Sequence, residues 1–213
     1  MVTNDVVVRE LTTEDVLEHP NVELITYLNT RGYPTPALFE VRDRYLIMER
    51  VHGPTLLQAL IANEVSLRDG AQILVDLLNK LHTIAVPAFD AARGVIREGD
   101  CILHMDLQPV NVILTETGPA VVDWQEALYG PAALDFAATA LAIGIVAAEK
   151  SPIQQGALRF LEHFIELSHA DIGLYLDEAR DLRIALPYTT TEDAELIERA
   201  RETVLSKLST QPS

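Results

Sequence analysis

The chain is poor in the residues that cross-link secreted proteins and in those that bind nucleic acids. Its 213 residues include one cysteine, Cys101, so an intrachain disulfide is excluded, and a reducing cytoplasm is the expected location. Lys and Arg number 16 against 32 Asp and Glu, which gives a formal net charge of -16. Such a surface repels phosphate backbones, so nucleic acid is not an expected partner. It would attract cationic small molecules, although a generally acidic surface explains the charge without any ligand.

Long apolar stretches are also missing. The longest run, from Phe136 to Ala148, is shorter than the roughly 20 residues that a membrane-spanning helix needs. The amino terminus, MVTND, lacks the basic and apolar regions of a secretory signal. No membrane partner is therefore expected, and the run from Phe136 is predicted to be a buried helix.

Two parts of different character meet near residues 50–54. Before this boundary, β-branched runs, prolines and a glycine cap predict a strand, a helix and two further strands, over residues 5–10, 20–30, 37–42 and 45–50. Thr12–Asp15 fits a helix start or a loop, and Asp43–Arg44 is predicted to be a tight turn. The fold class is therefore α+β, with a small strand-containing lobe over residues 1–50.

The rest of the chain, residues 51–213, is predicted to form a larger, mainly helical lobe. Apolar residues at positions 67, 71, 74, 78 and 81 recur at helical spacing. Further helices are predicted over residues 153–165 and 192–207. On the first of these, His163 and His169 accompany Glu162 and Glu166, which fits a solvated helix face or a metal or substrate site.

The most informative segment covers residues 102–137. An apolar strand ends in a loop that carries Asp106 and Asn111, five residues apart. A strand, a turn containing Gly118 and a returning strand then bring Asp123 back beside Asn111. Carboxylate and amide oxygens suit Mg²⁺. Phosphoryl transfer uses such a set, because one Asp accepts the proton of the acceptor hydroxyl while an Asn and an Asp hold the metal against the phosphates.

The same segment resembles the aminoglycoside phosphotransferase family and its choline kinase relatives, which have a protein-kinase-like fold. The family's loop typically reads His-Gly-Asp-Leu-His-Pro-x-Asn, and residues 104–111 read His-Met-Asp-Leu-Gln-Pro-Val-Asn, with Asp123-Trp124 following. The resemblance implies an enzyme that moves the γ-phosphate of ATP or GTP to a hydroxyl of a small molecule, cationic acceptors among them. Asp106 would be the catalytic base, and Asn111 and Asp123 would hold Mg²⁺.

The resemblance also implies roles for residues around this core. Asp135, in the family's Pro-x-x-Leu-Asp-x-Ala context, would anchor the catalytic loop, and His104 would support it. Gln108 stands where the family usually has His and is a candidate contact to the transferred phosphate. The segment before the lobe boundary resembles the family's hinge, so the backbone of Glu49 and Val51 would bind adenine. The acceptor would lie against the helices after residue 140.

The resemblance is incomplete at the amino terminus. A full member carries two strands and a phosphate-covering loop ahead of the position of Asp5, and only four residues precede it here. The sequence therefore predicts a truncated lobe whose strand at residues 5–10 pairs with a second copy or another partner. The family's basic strand residue and helix Glu would be Arg9 and Glu23, unless both are ordinary exposed residues. A non-catalytic nucleotide-binding or regulatory module is the alternative function.

Overall fold

The computed structural model describes residues 5–10, 20–43, 45–87 and 100–210. Thr12–Asp15 and Arg44 lie outside the described residues. The seven strands in this part of the chain are β1 Val6–Glu10, β2 Leu38–Arg42, β3 Tyr45–Glu49, β4 Cys101–Leu103, β5 Val112–Thr115, β6 Gly118–Val121 and β7 Leu128–Gly130. The α-helices are α1 Pro20–Thr30, α2 Leu56–Ile61, α3 Leu67–His82, α4 Ala132–Ala148, α5 Gln154–Ser168, α6 Ile172–Ile184 and α7 Thr191–Ser209. The predicted α+β class is confirmed.

The first part of the chain folds into an antiparallel sheet of order β1-β3-β2, accompanied by helix α1. Helix α1 buries Leu24, Ile25 and Leu28, three positions that share one face at helical spacing. Val8 and Phe39 expose large apolar side chains. The strands and the helix predicted for this part are confirmed to within one or two residues.

The second part is built around helix α4, which is apolar on every side. The helix packs against α5, α6 and α7, and its residues from Leu134 to Gly144 are buried. A helix without a polar face has to be enclosed, and α4 is the buried helix that the sequence predicts. Nowhere in the described residues is there a helix with the length and hydrophobicity required to span a membrane.

The hairpin formed by β5 and β6 ties the two parts together. The Leu114 N–H donates to the Pro54 carbonyl at 2.9 Å, and the Val121 N–H donates to the Pro34 carbonyl at 2.7 Å. The hairpin is therefore bonded both to the segment that follows β3 and to the loop that precedes β2. The same hairpin carries Asn111 at its start and Asp123 at its end.

Gly53 makes this junction possible. Its φ of +146° lies in a region that other residues rarely adopt, and a Cβ there would lie 2.0 Å from the Leu114 carbonyl oxygen. The contact is with backbone, so no side-chain rotation can relieve it. Only glycine fits at position 53 unless the hairpin shifts.

We expect Gly53→Ala to lower the free energy of unfolding by roughly 2–4 kcal/mol, because both the φ angle and the backbone contact oppose a side chain. Gly156→Ala is the matched control. Gly156 lies in α5 with nothing near its Cβ position, so alanine there should stabilise by up to about 1 kcal/mol. Equal effects of the two changes in urea unfolding would contradict this account of the junction.

Candidate active site

The loop between β4 and β5 is held by one buried carboxylate. Asp135 is fully buried, and its Oδ2 accepts hydrogen bonds from the His104 N–H at 2.9 Å and the His82 Nε2 at 3.0 Å. Its Oδ1 accepts a bond from the Met105 N–H at 2.8 Å. A buried charge requires such donors, so the start of the loop is fixed to the first turn of α4.

Met105 is held in an uncommon conformation by that bond. Its φ of +65° lies in the left-handed region, where the related family pattern has glycine. A non-glycine residue there is strained by about 1 kcal/mol or more and persists only when its surroundings require it. The Asp135 carboxylate and the burial of the Met105 side chain provide that constraint.

His104 supports the loop from inside the core. Its Nδ1 accepts a bond from the Asp106 N–H at 3.2 Å, and its Nε2 donates to the Val122 carbonyl at 3.1 Å. The ring also packs against Trp124, with the ring centres 4.6 Å apart. One ring nitrogen accepts and the other donates, which is the pattern of a neutral imidazole. The imidazole thus links the backbone of Asp106 to Val122, the residue before Asp123.

The Asp106 carboxylate receives three hydrogen bonds. Its Oδ1 accepts from the Gln108 amide at 3.1 Å and from Arg183 Nη1 at 2.7 Å. Its Oδ2 accepts from the Asn111 amide at 2.9 Å. A carboxylate offers about four acceptor positions, so one position, on Oδ2, remains for an incoming hydroxyl. The side chain is 14% exposed and is held in one orientation.

Asn111 and Asp123 flank the base of the β5–β6 hairpin. The Val122 N–H donates to the Asn111 carbonyl at 3.0 Å, which places Asp123 one residue beyond a backbone bond to Asn111. The Asn111 side-chain nitrogen donates to Asp106, so its amide oxygen is the atom that it can offer a cation. An amide oxygen beside a half-exposed carboxylate is a donor set that suits Mg²⁺.

Both residues line a cleft of about 590 Å³, which we call the main cleft. Its other walls come from β1, α1, the loop before β2, β3 and the segment after β3, and they include Glu49 and Val51, the two residues predicted to bind adenine. The predicted metal ligands and the predicted adenine-binding segment therefore meet in one cavity, between the small sheet and the hairpin.

Arg9 also lines the main cleft. Its Nη1 lies 3.4 Å from Asp123 Oδ1, and both side chains are about 40% exposed. Glu23, its predicted partner, lies exposed in the first turn of α1. Arg9 is thus placed where it could contact bound phosphates as well as Asp123, and its pairing with Glu23 stays a prediction.

Arg183 is the site residue that sequence reasoning missed. It lies in α6, 77 residues from Asp106, and belongs to no motif. Only the packing of α6 against α4 brings it to the loop between β4 and β5. The helix itself was not predicted as a separate element, so no sequence signal pointed to this contact.

The histidines of α5 do not form a metal site in the described residues. His163 lies 3.7 Å from Glu166, which is paired with Arg68 at 2.8 Å, and His169 caps the helix. No group of three His, Cys, Asp or Glu side chains suited to a metal occurs in the described ranges. This helix face is therefore solvated and ion-paired.

Cys101 is half-buried in β4, and burial raises the pKa of its thiol.

The neutral state of His104 should make folding depend on pH. Burial lowers its pKa from the ordinary 6.5, more than the nearby Asp135 charge raises it. The unfolded chain therefore binds the proton more readily, and unfolding becomes easier as pH falls below about 6.5. The stability that neutral His104 contributes is fully present above that pH and is lost below it. We expect the melting temperature to fall between about pH 7 and pH 5.

His104→Gln should flatten this dependence in melting curves recorded across that pH range. His52→Gln is the control, because the His52 side chain is 61% exposed. If the two substitutions changed the slope of melting temperature against pH equally, His104 would not be its source.

Comparison with known proteins identifies the segment that carries this site. Residues 92–165 match the family described as phosphotransferase enzyme family. This range includes the catalytic loop, the β5–β6 hairpin and Asp135. Among curated protein sequences, no relative matches the chain significantly.

Solved structures match the fold over most of the chain. The gentamicin complex of the aminoglycoside phosphotransferase APH(2'')-IIa has a TM-score of 0.58 and 14% identity, over 94% of this chain and 85% of that one. A thermostable mutant of aminoglycoside phosphotransferase APH(4)-Ia has a TM-score of 0.56 and 15% identity, over 87% and 83%. The amicoumacin kinase hAmiN, in complex with AMP-PNP and Ca²⁺, has a TM-score of 0.54 and 11% identity, over 96% and 81%.

The kinase-like fold that the resemblance implies is thus confirmed by the solved structures, and the family match covers the segment on which the resemblance rests. The chain has the kinase-like fold of the aminoglycoside phosphotransferases, and its central segment matches the phosphotransferase enzyme family.

Proposed function

We propose that this protein transfers the γ-phosphate of ATP or GTP to a hydroxyl group of a small molecule. The observation that carries the proposal is the bonded set of Asp106 and Asn111, 2.9 Å apart, at the edge of a cleft that Asn111 and Asp123 both line. A positioned base and a hard cation site at one cleft are what phosphoryl transfer requires.

In the proposed reaction the acceptor hydroxyl binds the remaining acceptor position of Asp106. Its oxygen forms a bond to the γ-phosphorus, and its proton passes to the Asp106 carboxylate. The bond between the γ-phosphorus and the bridging oxygen breaks, and the nucleoside diphosphate leaves with that oxygen. Gln108 and Asn111 keep the carboxylate oriented, which is the positioning on which such transfers depend.

The nucleotide would occupy the main cleft, with adenine against the backbone of Glu49 and Val51 and the phosphates near Arg9. Asn111 and Asp123 would hold Mg²⁺, which neutralises phosphate charge when bound. Gln108 is a candidate contact to the transferred group, since its amide already lies beside Asp106.

We also propose that the two lobes cover residues 1–50 and 51–213, and that the protein is located in the cytoplasm.

Substitutions should separate the roles of the two aspartates. Asp123→Ala removes the one charged ligand of the proposed cation pair, so Mg²⁺-dependent nucleotide binding should fall at least about tenfold. Asp106→Asn should leave that binding nearly unchanged and slow transfer by roughly 10²–10⁴-fold. Calorimetric titration with a non-hydrolysable nucleotide, with and without Mg²⁺, measures the first effect. Mass spectrometry of acceptors at millimolar ATP and GTP measures the second.

Glu116→Gln is the matched control, because Glu116 is exposed at the tip of the same hairpin. The assignment of roles is wrong if both aspartate variants bind Mg-nucleotide like the parent. Tight, metal-independent nucleotide binding without any phosphorylated product would instead indicate the non-catalytic module.

We also propose that a second copy or another partner covers β1. Within the described residues, β1 pairs with β3 and with no other strand, and edges of this kind invite pairing with another chain. Light scattering at tens of micromolar should detect a dimer, and Val8→Lys, which places a charge on an exposed position of this strand, should weaken it. A strict monomer would count against self-association.

A further inference from the structure

A second cavity, of about 90 Å³, lies between the catalytic loop and helices α4 and α6. It shares no lining residue with the main cleft. Most of its wall is aliphatic, and we call it the aliphatic cavity. Its lining includes Met105, Leu141, Ile145 and Leu186, together with the charged residues Glu126 and Arg183. It therefore adjoins Asp106, because Met105 precedes Asp106 in the chain and Arg183 is bonded to its carboxylate.

Arg183 is the one cation among these lining residues. It donates one hydrogen bond, from Nη1 to Asp106 at 2.7 Å. A guanidinium carries five N–H donors in a rigid fork, and within the described residues the others have no hydrogen-bonded partner. The side chain is 25% exposed, so these donors are available to a ligand that approaches Asp106 from the aliphatic cavity.

The other charged group of the cavity is already engaged. Glu126 Oε1 accepts a hydrogen bond from the Tyr188 hydroxyl at 2.7 Å. Burial, and after it this bond, raises the pKa of Tyr188 well above its ordinary value. The tyrosine therefore remains a donor to Glu126, and one oxygen of that carboxylate is taken. Arg183 is thus the lining side chain whose charged N–H donors an acceptor can meet.

The placement of Arg183 bears on the charge of the acceptor. An acceptor hydroxyl bonded to Asp106 lies beside a guanidinium that is bonded to the same carboxylate. A cationic group near that hydroxyl would be repelled, and a carboxylate would be bound by the free edge of the fork. We propose that the acceptor is a small hydroxy acid, an inference that rests on the phosphotransferase function proposed above. Its carboxylate pairs with Arg183, and its short aliphatic group enters the aliphatic cavity.

The net charge of -16 does not exclude an anionic acceptor. Exposed charges more than about 8 Å away are largely screened at physiological ionic strength. A direct, partly buried contact with a guanidinium is screened far less. The overall charge governs approach to the protein, whereas Arg183 governs what is held at Asp106.

Three probes with the same branched carbon skeleton and a hydroxyl on the second carbon test the inference: 2-hydroxy-3-methylbutanoate, 3-methylbutane-1,2-diol and 1-amino-3-methylbutan-2-ol. Their affinities for the full chain are measured by ligand-observed NMR titration, with Mg²⁺ and a non-hydrolysable ATP analogue present. We expect the hydroxy acid to bind about tenfold more tightly than the diol, and the amino alcohol more weakly than the diol.

Arg183→Gln should remove the preference for the acid, so that the ratio of acid to diol affinity falls from about tenfold to about one. Arg183→Lys should retain part of the preference, because lysine keeps the charge without the fork. Arg180→Gln is the matched control on the same helix. Arg180 pairs with Glu198 at 3.3 Å, away from Asp106, so its replacement should leave all three affinities as in the parent.

Equal binding of the three probes, binding of none, or an acid preference that survives Arg183→Gln would overturn the inference. Failure of the proposed function would look different, because the parent would then show no Mg²⁺-dependent nucleotide binding in the same samples. Normal nucleotide binding combined with tightest binding of the amino alcohol would reject the hydroxy acid alone.

Discussion

The site depends on the buried carboxylate of Asp135. Without its bonds, the N–H groups of His104 and Met105 would be left without partners inside the core, and each unsatisfied group costs about 1–3 kcal/mol. Met105 would lose the contact that holds its left-handed backbone. The first turn of the most deeply buried helix therefore sets the position of the loop, and through it the orientation of Asp106.

The second element of the site, the β5–β6 hairpin, is positioned by backbone bonds. It is tied to Pro34 and Pro54, to the loop through His104 and Val122, and to the chain at Gly53 by a close approach that only glycine permits. The loop and the hairpin are thus bonded to each other and to both parts of the fold. This arrangement orients the proposed base and the two proposed oxygen ligands before any ligand arrives, which is the preorganisation that electrostatic catalysis requires.

Much of the fold and of the site could be predicted from the sequence, because it depends on residues that lie close together in the chain. Helix α3 has regular apolar spacing, and a strand, turn and strand of fixed length return Asp123 to Asn111. The contacts that could not be predicted are tertiary. Arg183 reaches Asp106 because α6 packs on α4, and Arg9 reaches Asp123 because β1 faces the hairpin. Strand β7, three residues long, is too short to show a periodicity and exists because it pairs with β4.

The central claim is that Asn111 and Asp123 hold a divalent cation against a nucleotide in the main cleft. A crystal grown with Mn²⁺ and a non-hydrolysable ATP analogue tests it directly, because Mn²⁺ scatters anomalously and its position can be read without reference to neighbouring atoms. We expect an anomalous peak within about 2.0–2.4 Å of the Asn111 amide oxygen and an Asp123 carboxylate oxygen, and beside the nucleotide phosphates. A nucleotide bound in the cleft with its metal elsewhere, or with none, would contradict the account.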